Sequence, residues 1–305
     1  MAALHPLEAL LRERIVIIDG AMGTTIQQYK LTEEQFRGER FRDWTGKDLK
    51  GNNELLNLTQ PQIIEEIHRR YFEAGADIAE TNTFNGQFIS LGDYGMESLA
   101  YELSFAGAQC ARKAADTVMA AQPGRKCFVA GAIGPTTKTS SISTDVNDAS
   151  TRGTTWDELV RAYGEQVRAL LDGGADLLLV ETIFDTLNAK AAFFAIGEIL
   201  AERGLEPIGY TRDGSEQSAI RNPQSAIPLM ASVTFIQKGG TRGVTGQTVE
   251  AFWNSISNVP LLSVGMNCAL GPEEMRPLIE ELSRLVPIYV SVYPNAGLPN
   301  PLSVT

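Results

Sequence analysis

The chain has 305 residues, of which 43% are hydrophobic, and a net charge of -11. This length suits one large α/β domain, and the hydrophobic content is enough for a large core. The acidic balance argues against nucleic-acid or anionic-membrane partners, which attract a basic face, and no apolar run reaches the roughly 20 residues of a membrane span. We therefore expect neither partner.

The cysteine content and the first residues indicate the cellular compartment. Cys110, Cys127 and Cys268 are widely spaced and make a poor disulfide framework. The first 14 residues mix charged side chains with short Leu/Ala stretches, which predicts a helix and not a signal peptide. These features predict a cytoplasmic protein.

Short apolar runs recur along the chain, and a turn and a long amphipathic stretch follow each run. The predicted strands are 15–19, 77–81, 127–133, 176–182, 228–235, 261–267 and 288–292. The predicted helices between them are 61–74, 98–121, 155–172, 187–203, 248–257 and 272–285. Strict alternation predicts an α/β fold with a parallel sheet, namely a (β/α)8 TIM barrel with about seven of its eight units present and one domain over residues 1–305.

Several connections stand out within this pattern. Residues 73–77 and 172–176 read as nearly identical corners, in which a Gly closes a helix and an Asp opens the next strand. The polar segment 203–226 is predicted to be a surface insertion before the fifth strand. The long loop 28–57 is expected to cover part of the barrel mouth.

Carboxylates stand at the carboxyl ends of the predicted strands, where barrel enzymes carry their chemistry. The first strand ends Asp19-Gly-Ala-Met-Gly-Thr-Thr25, so Asp19 could pair with an ammonium group while the loop N–H groups hold a carboxylate. The alternative is a polar turn with a capping Asp. Glu181 follows an apolar strand directly, which suggests either a substrate amine or an internal salt bridge as its partner. Glu80 has a similar strand-end position, and Asp19 and Glu181 together would suit an amino-acid ligand.

Two further strand ends carry weaker signals. Residues 80–84, Glu-Thr-Asn-Thr-Phe, offer polar side chains for hydrogen bonds. The third strand runs into a Gly/Pro turn and the polar loop 138–154. Neither the Walker nor the Rossmann glycine spacing is present, so this loop is predicted to be a lid or docking loop and not a phosphate cradle.

Cys268 is the most informative single residue. An apolar strand delivers it into a Gly/Pro-punctuated turn, where a thiolate can bind a metal or attack an electrophile. Cys110 and Cys127 are predicted to be inert small hydrophobes. A catalytic zinc normally needs three protein ligands, and His5 and His68 are predicted to lie far from the mouth, so the obvious ligands do not complete a zinc site.

Several blocks of sequence carry a family resemblance. They are Asp19–Thr24, Gly51–Leu56, Glu73–Phe84, Val146–Asp148, Glu181–Lys190, Gly246–Phe252, Gly265–Pro272 and Pro294–Pro299. Together they resemble the homocysteine-binding, N-terminal domain of cobalamin-dependent methionine synthase, a member of the homocysteine S-methyltransferase family.

The resemblance implies zinc-dependent transfer of a methyl group from methylcobalamin to homocysteine, which yields methionine. It makes Cys268 a catalytic residue and one of three expected zinc ligands; in the family the other two are a cysteine pair on the eighth strand. Zinc lowers the pKa of a bound thiol, so it presents homocysteine as a thiolate. Asp19 and Glu181 match the positions that contact the substrate's amino group. The remaining predicted substrate-binding residues are Gly20, Met22, Gly23, Thr24, Asn82, Thr83 and Asn267.

The departures from the family pattern give further expectations. The cysteine pair is missing because the sequence stops just after its Asn-Ala-Gly-Leu-Pro segment, so we expect an inactive fragment that binds zinc weakly. In the full enzyme its partners would be the cobalamin-binding and folate-binding domains. One alternative is a cobalamin-independent homocysteine methyltransferase that uses betaine or S-methylmethionine; another is a non-catalytic remnant that binds an amino acid or a partner.

Overall fold

The computed structural model describes residues 4–143, 145, 147–148, 150–210, 214, 225–236, 240 and 242–296. The strands are β1 (Ile78–Glu80), β2 (Phe128–Ile133), β3 (Leu177–Ile183), β4 (Glu206–Ile208), β5 (Ala226–Val233), β6 (Ser263–Asn267) and β7 (Tyr289–Tyr293). The α-helices are α1 (Pro6–Glu13), α2 (Met22–Gln28), α3 (Glu33–Arg37), α4 (Leu56–Thr59), α5 (Pro61–Glu73), α6 (Phe88–Leu91), α7 (Ala100–Ala121), α8 (Trp156–Asp172), α9 (Thr186–Glu202), α10 (Val249–Ile256) and α11 (Pro272–Leu285). No helix in these ranges is long and apolar enough to cross a membrane.

The sheet is parallel and curled, with helices between successive strands. Its spatial order is β1-β2-β3-β5-β6-β7, with β4 beside β5. The predicted first strand forms only one parallel bridge, from Ile18 to Ile78, which places residues 15–19 next to β1. Within the described residues, no backbone pairing joins this segment to β7. The structure confirms the predicted α/β barrel with about seven units.

The helices follow from local sequence signals. The first turn of α5 contains Pro61, whose missing N–H would have had no partner there anyway. The start of α8 is a capping box: the hydroxyl of Thr155 accepts the N–H of Glu158 at 3.2 Å, and the Glu158 carboxylate accepts the N–H of Thr155 at 3.0 Å. All six predicted helices form with bounds within two residues of the prediction.

The two helix-to-strand corners are alike in structure as well as in sequence. Gly75 (φ 116°) and Gly174 (φ 97°) occupy the left-handed region that favours glycine after a helix. The carboxylate of Asp77 accepts the N–H of Ile17 at 3.0 Å, and that of Asp176 accepts an N–H of β2 at 2.7 Å. Each Asp therefore ties the start of its own strand to the preceding strand.

The strands separate an inner core from an outer one. The inner core fills the barrel, where Leu7 of α1 packs below Ile78, Phe128, Leu177, Leu179, Met230 and Leu262. The outer core lies between the sheet and the helices. Side chains alternate between the two faces of a strand, so the positions two residues beyond Ile78 and Leu179 also face the interior.

Residues 28–57 do more than the predicted loop. They contain α3 and a 3-10 helix at Asn53–Leu55, and they bury Leu31, Phe36 and Leu49 in a core shared with α5 and α7. We call residues 22–60 the mouth lobe. Its apolar residues follow no helical or strand period, which is why the sequence pattern predicted only a loop.

The segment 203–226 is only partly described, because residues 211–213 and 215–224 lie outside the described part of the chain. The interpretation as a purely surface insertion needs correction at β4. This strand runs parallel to the start of β5, with Glu206 opposite Ala226, and it buries Ile208. With only three residues, β4 is too short to show a strand pattern in the sequence.

Candidate active site

A cavity of about 580 Å³ opens at the carboxyl ends of the strands. Most of the predicted site residues line it, namely Asp19, Gly20, Met22, Gly23, Asn82, Glu181, Asn267 and Cys268. Asn53 and Glu54 of the mouth lobe and Tyr293 of β7 complete part of the wall. Elements far apart in sequence thus contribute to one enclosed space, which is typical of ligand sites in barrel proteins.

Strand alternation explains why the carboxyl groups face this cavity. Glu80 lies two residues beyond Ile78, and Glu181 lies two residues beyond Leu179, so both continue rows of inner-core side chains. Asp19 ends the neighbouring segment, and its Oδ1 accepts the N–H of Glu80 at 3.1 Å. The apolar interior therefore gives way to a ring of carboxyls at the mouth.

The electrostatics of these carboxyls are unusual. Burial raises the pKa of Glu181 to about 7. Burial also raises the pKa of Asp19 and of Glu80, and the negative charge of Glu181 adds to both shifts. No Lys or Arg lines the cavity, and none of the three forms an ion pair within the described residues. The internal salt bridge considered for Glu181 is thus not formed there, and the ring is suited to a cationic ligand.

Cys268 lies at the cavity wall in a strained turn. It is half-buried, with φ 43°, and the next residue, Ala269, has φ 58°. Non-glycine residues seldom adopt two successive left-handed conformations. The N–H of Cys268 donates to the carbonyl of Tyr293 at 3.1 Å, which anchors the turn to the end of β7.

Asn267 organises the ends of three strands. Its Nδ2 donates to the Thr182 hydroxyl at 2.8 Å and to Cys268 Sγ at 3.3 Å. Its Oδ1 accepts the Thr182 N–H at 3.1 Å and the Ser232 hydroxyl at 2.7 Å. An amide side chain offers two donors and two acceptor sites, and all are used here. Asn267 therefore lines the cavity but fits a positioning role better than the predicted direct contact with substrate.

The turn after Glu181 has a matching distortion. Thr182 has φ 54°, and the register between β3 and β5 shifts between Val180 and Ile183. Irregularities of this kind redirect side chains near active sites. The paired hydrogen bonds between Thr182 and Asn267 hold this distortion in place.

Two predicted substrate contacts lie outside the cavity lining. Thr83 is fully buried; its hydroxyl lies 2.6 Å from that of Thr81 and donates to the carbonyl of Ala132 at 2.8 Å. Its geometry is that of a residue that joins β1 to β2. Thr24 is exposed on α2. The sequence gives no signal that distinguishes these threonines from their cavity-lining neighbours.

The mouth lobe is hydrogen-bonded to the segment that follows β1. Asn82 Nδ2 donates to the carbonyl of Asn53 at 2.8 Å, and Glu54 Oε1 accepts the N–H of Asn85 at 2.8 Å. Sequence reasoning assigned no role to Asn53, Glu54 or Tyr293. Asn53 and Glu54 belong to the block Gly51–Leu56, which resembles the family, so this block could have indicated that they line the site. Nothing in the local sequence pattern indicates such a position for Tyr293.

The described residues do not build a complete metal centre. Within the described ranges, no three His, Cys, Asp or Glu side chains converge on a point that could hold a metal ion. His5 caps α1 and His68 is buried in α5, so neither lines the cavity. Burial raises the pKa of Cys110 to about 11 and also raises that of Cys127, as expected for inert thiols. The described part of the chain thus offers a zinc ion one cavity thiol, Cys268, which falls short of a three-ligand site.

Comparisons with known proteins agree with this architecture. A family model described as Homocysteine S-methyltransferase matches residues 16–304. The metallated form of the homocysteine methyltransferase MmuM from Escherichia coli superposes with a TM-score of 0.67 at 22% identity, and the match covers 96% of this chain and 88% of that one. Its oxidised form gives a TM-score of 0.68 at 22% identity, with 96% and 86% covered. At this identity the structural likeness supports the fold.

Proposed function

We propose that this chain, which belongs to the homocysteine S-methyltransferase family, binds homocysteine in the strand-end cavity and positions its sulfur for methylation. The observation that carries the proposal is the placement of the Asp19 and Glu181 carboxyls in the same cavity as the Cys268 thiol. This arrangement combines a cation-binding end with a thiol in one enclosed space.

The cavity matches the functional groups of an α-amino thiol. The ammonium group would pair with Asp19 and Glu181, since no Lys or Arg among the described residues lines the cavity to compete for them. The backbone of the loop from Gly20 to Gly23 would receive the carboxylate, because glycines allow close approach to N–H groups. The sulfur would then point toward Cys268.

Zinc enters this proposal only as far as the residues allow. We propose that Cys268 serves as one thiolate ligand, held in orientation by the side-chain amide of Asn267, whose Nδ2 donates to Cys268 Sγ at 3.3 Å. Bound zinc would lower the pKa of the substrate thiol. The described residues do not supply the other ligands. The protein groups themselves have three roles in the proposal: they bind the ammonium, receive the carboxylate and orient the Cys268 thiol.

The methyl donor is a finer part of the proposal. The blocks that resemble cobalamin-dependent methionine synthase favour methylcobalamin, presented by a separate cobalamin-binding domain, with a folate-binding domain as a further partner. Methionine biosynthesis would be the corresponding pathway. Betaine or S-methylmethionine would serve as donor if the chain belonged to the cobalamin-independent branch.

Calorimetric titration with L-homocysteine under reducing conditions tests the binding step. We expect the Asp19→Asn variant, which keeps the side-chain shape but loses the charge, to bind about tenfold more weakly than the wild type. Glu198→Gln removes an exposed carboxylate of α9 and serves as the control. The proposal is wrong if the wild type does not bind L-homocysteine, or if both variants bind it equally well.

The donor is tested by mass spectrometry of methionine after incubation with zinc, homocysteine and one donor at a time. Methionine formed from methylcobalamin alone supports the cobalamin-dependent type, and methionine formed from betaine or S-methylmethionine supports the alternative. Homocysteine binding without methionine from any donor would fit a purely binding role for this chain, and it would equally fit a zinc site for which the described residues supply only one ligand.

A further inference from the structure

Glu80 has a carboxyl oxygen with no hydrogen-bond partner among the described residues. It lines the strand-end cavity, and its Oε1 is buried without a hydrogen bond among the described residues. Leaving a buried carboxylate oxygen unpaired is unfavourable, so native proteins rarely keep one without a functional reason. The Tyr293 hydroxyl lies close to Glu80 but forms no hydrogen bond to this oxygen, which leaves the oxygen available to a donor from a ligand.

The neighbouring carboxyls differ from Glu80 in this respect. Asp19 accepts the Glu80 N–H at 3.1 Å, and Glu181 accepts the Thr182 hydroxyl at 3.3 Å. Glu54, the fourth carboxyl in the wall, accepts the N–H of Asn85 at 2.8 Å. Glu80 thus combines a place in the cavity with an oxygen left free for a ligand.

We propose that Glu80 is the third acceptor for the substrate's ammonium group and makes the cavity prefer a thiol that carries an amino group over the same thiol without one. An ammonium group has three N–H donors, and the cavity lining includes three carboxyls for it: Asp19 from the segment before β1, Glu80 at the end of β1 and Glu181 on β3. The inference rests on the proposed homocysteine site and adds a specificity-determining residue to it.

The charges around Glu80 support this role. The pKa of Glu80 is raised by burial and by the negative charges of Glu181, Asp19 and Cys268, and the neighbouring Tyr293 hydroxyl counteracts these effects only in part. Among the described residues, no Lys or Arg lines the cavity to offset the charges. A ligand ammonium would supply the missing positive charge. A des-amino thiol brings only its own negative carboxylate into the same surroundings and gains nothing from Glu80.

The test compares two ligands by calorimetric titration, L-homocysteine and 4-mercaptobutanoate, which differ only in the amino group. The proteins are the wild type, Glu80→Gln, Glu80→Asp and the control Glu198→Gln. We expect Glu80→Gln to weaken L-homocysteine binding about tenfold and to change 4-mercaptobutanoate binding less than about twofold. Glu80→Asp, which keeps the charge on a shorter side chain, should retain more of the affinity for L-homocysteine than Glu80→Gln.

Two other sets of results would contradict either the inference or the proposed function. If Glu80→Gln binds L-homocysteine as tightly as the wild type, or weakens both ligands equally, the inference fails while the proposed function stands. If the wild type binds neither ligand, the proposed function fails and takes the inference with it. Far-UV circular dichroism of each variant separates a loss of affinity from a loss of fold, and Glu80→Asp provides the comparison if Glu80→Gln does not fold.

Discussion

Replacing Glu181 with glutamine should make the protein more stable at alkaline pH while it weakens the binding of substrate. Glutamine has nearly the same shape as glutamic acid but cannot ionise. The Glu181 side chain is buried at the end of β3, only 7% exposed, with the carboxyls of Asp19 and Glu80 in the same cavity. The substitution removes a buried negative charge, and this charge lowers the free energy of unfolding of the wild type when no ligand is bound.

The size of the effect follows from the pKa of Glu181, which burial raises from the ordinary 4.5 to about 7. A group whose pKa is raised by folding binds its proton more tightly in the native state, so the contribution of Glu181 to stability is fully present below pH 4.5 and is lost as the pH rises toward 7. The difference of about 2.5 pH units corresponds to about 3 kcal/mol above pH 7. Glu181→Gln removes this loss, and it also removes a charge that raises the pKa of Asp19 and Glu80.

Urea unfolding at pH 4.5 and pH 8, followed by circular dichroism, measures the effect. We expect the free energy of unfolding of Glu181→Gln to exceed that of the wild type by up to about 3 kcal/mol at pH 8, with most of this advantage lost at pH 4.5. Glu198→Gln, on the exposed face of α9, should match the wild type at both values. An equal difference between Glu181→Gln and wild type at the two pH values would refute the reasoning, because titration of Glu181 and of the carboxyls coupled to it must make the difference depend on pH.

Two further substitutions test other buried polar groups. Asn267→Ala removes four hydrogen bonds, three of which join the ends of β3, β5 and β6, so we expect a loss of about 3 kcal/mol in urea unfolding; a loss under about 1 kcal/mol would contradict its positioning role. His68 is fully buried, neither of its ring nitrogens has a hydrogen-bond partner among the described residues, and burial lowers its pKa to about 4. The unfolded chain therefore takes up this proton first as the pH falls below 6.5, and His68→Leu should gain up to about 3 kcal/mol more at pH 4 than at pH 7; the same gain at both would contradict this account.

The barrel was predictable because its signals are local and repeated. Strand runs such as 176–182 are apolar on both faces, as strands of a covered parallel sheet must be, and helices such as α5 and α8 carry proline or a capping box at their first turn. The mouth lobe was not predicted as a folded unit because Leu31, Phe36 and Leu49 meet only through tertiary contacts. The three-residue strand β4 is likewise defined by its pairing with β5 and not by its own sequence.

The site was predictable in its location and less so in its details. Barrel enzymes carry their chemistry at the carboxyl ends of the strands, and this rule predicted that Asp19, Glu181 and Cys268 lie at one rim. All three line the cavity. The rule could not show that Asn267 uses its whole amide internally, because this depends on Thr182 and on another strand. Substrate roles for all of these residues remain predictions until the titrations are made.

The turn at Cys268 has a consequence for how this sequence can change over time. With φ 43° at Cys268 and 58° at Ala269, glycine would relieve strain of about 1 kcal/mol or more at each position. If selection acted only on folding stability, glycine would therefore be favoured at these two positions and the thiol would be lost. A cysteine that lowers stability at this position therefore points to a role for its thiol that glycine could not fill.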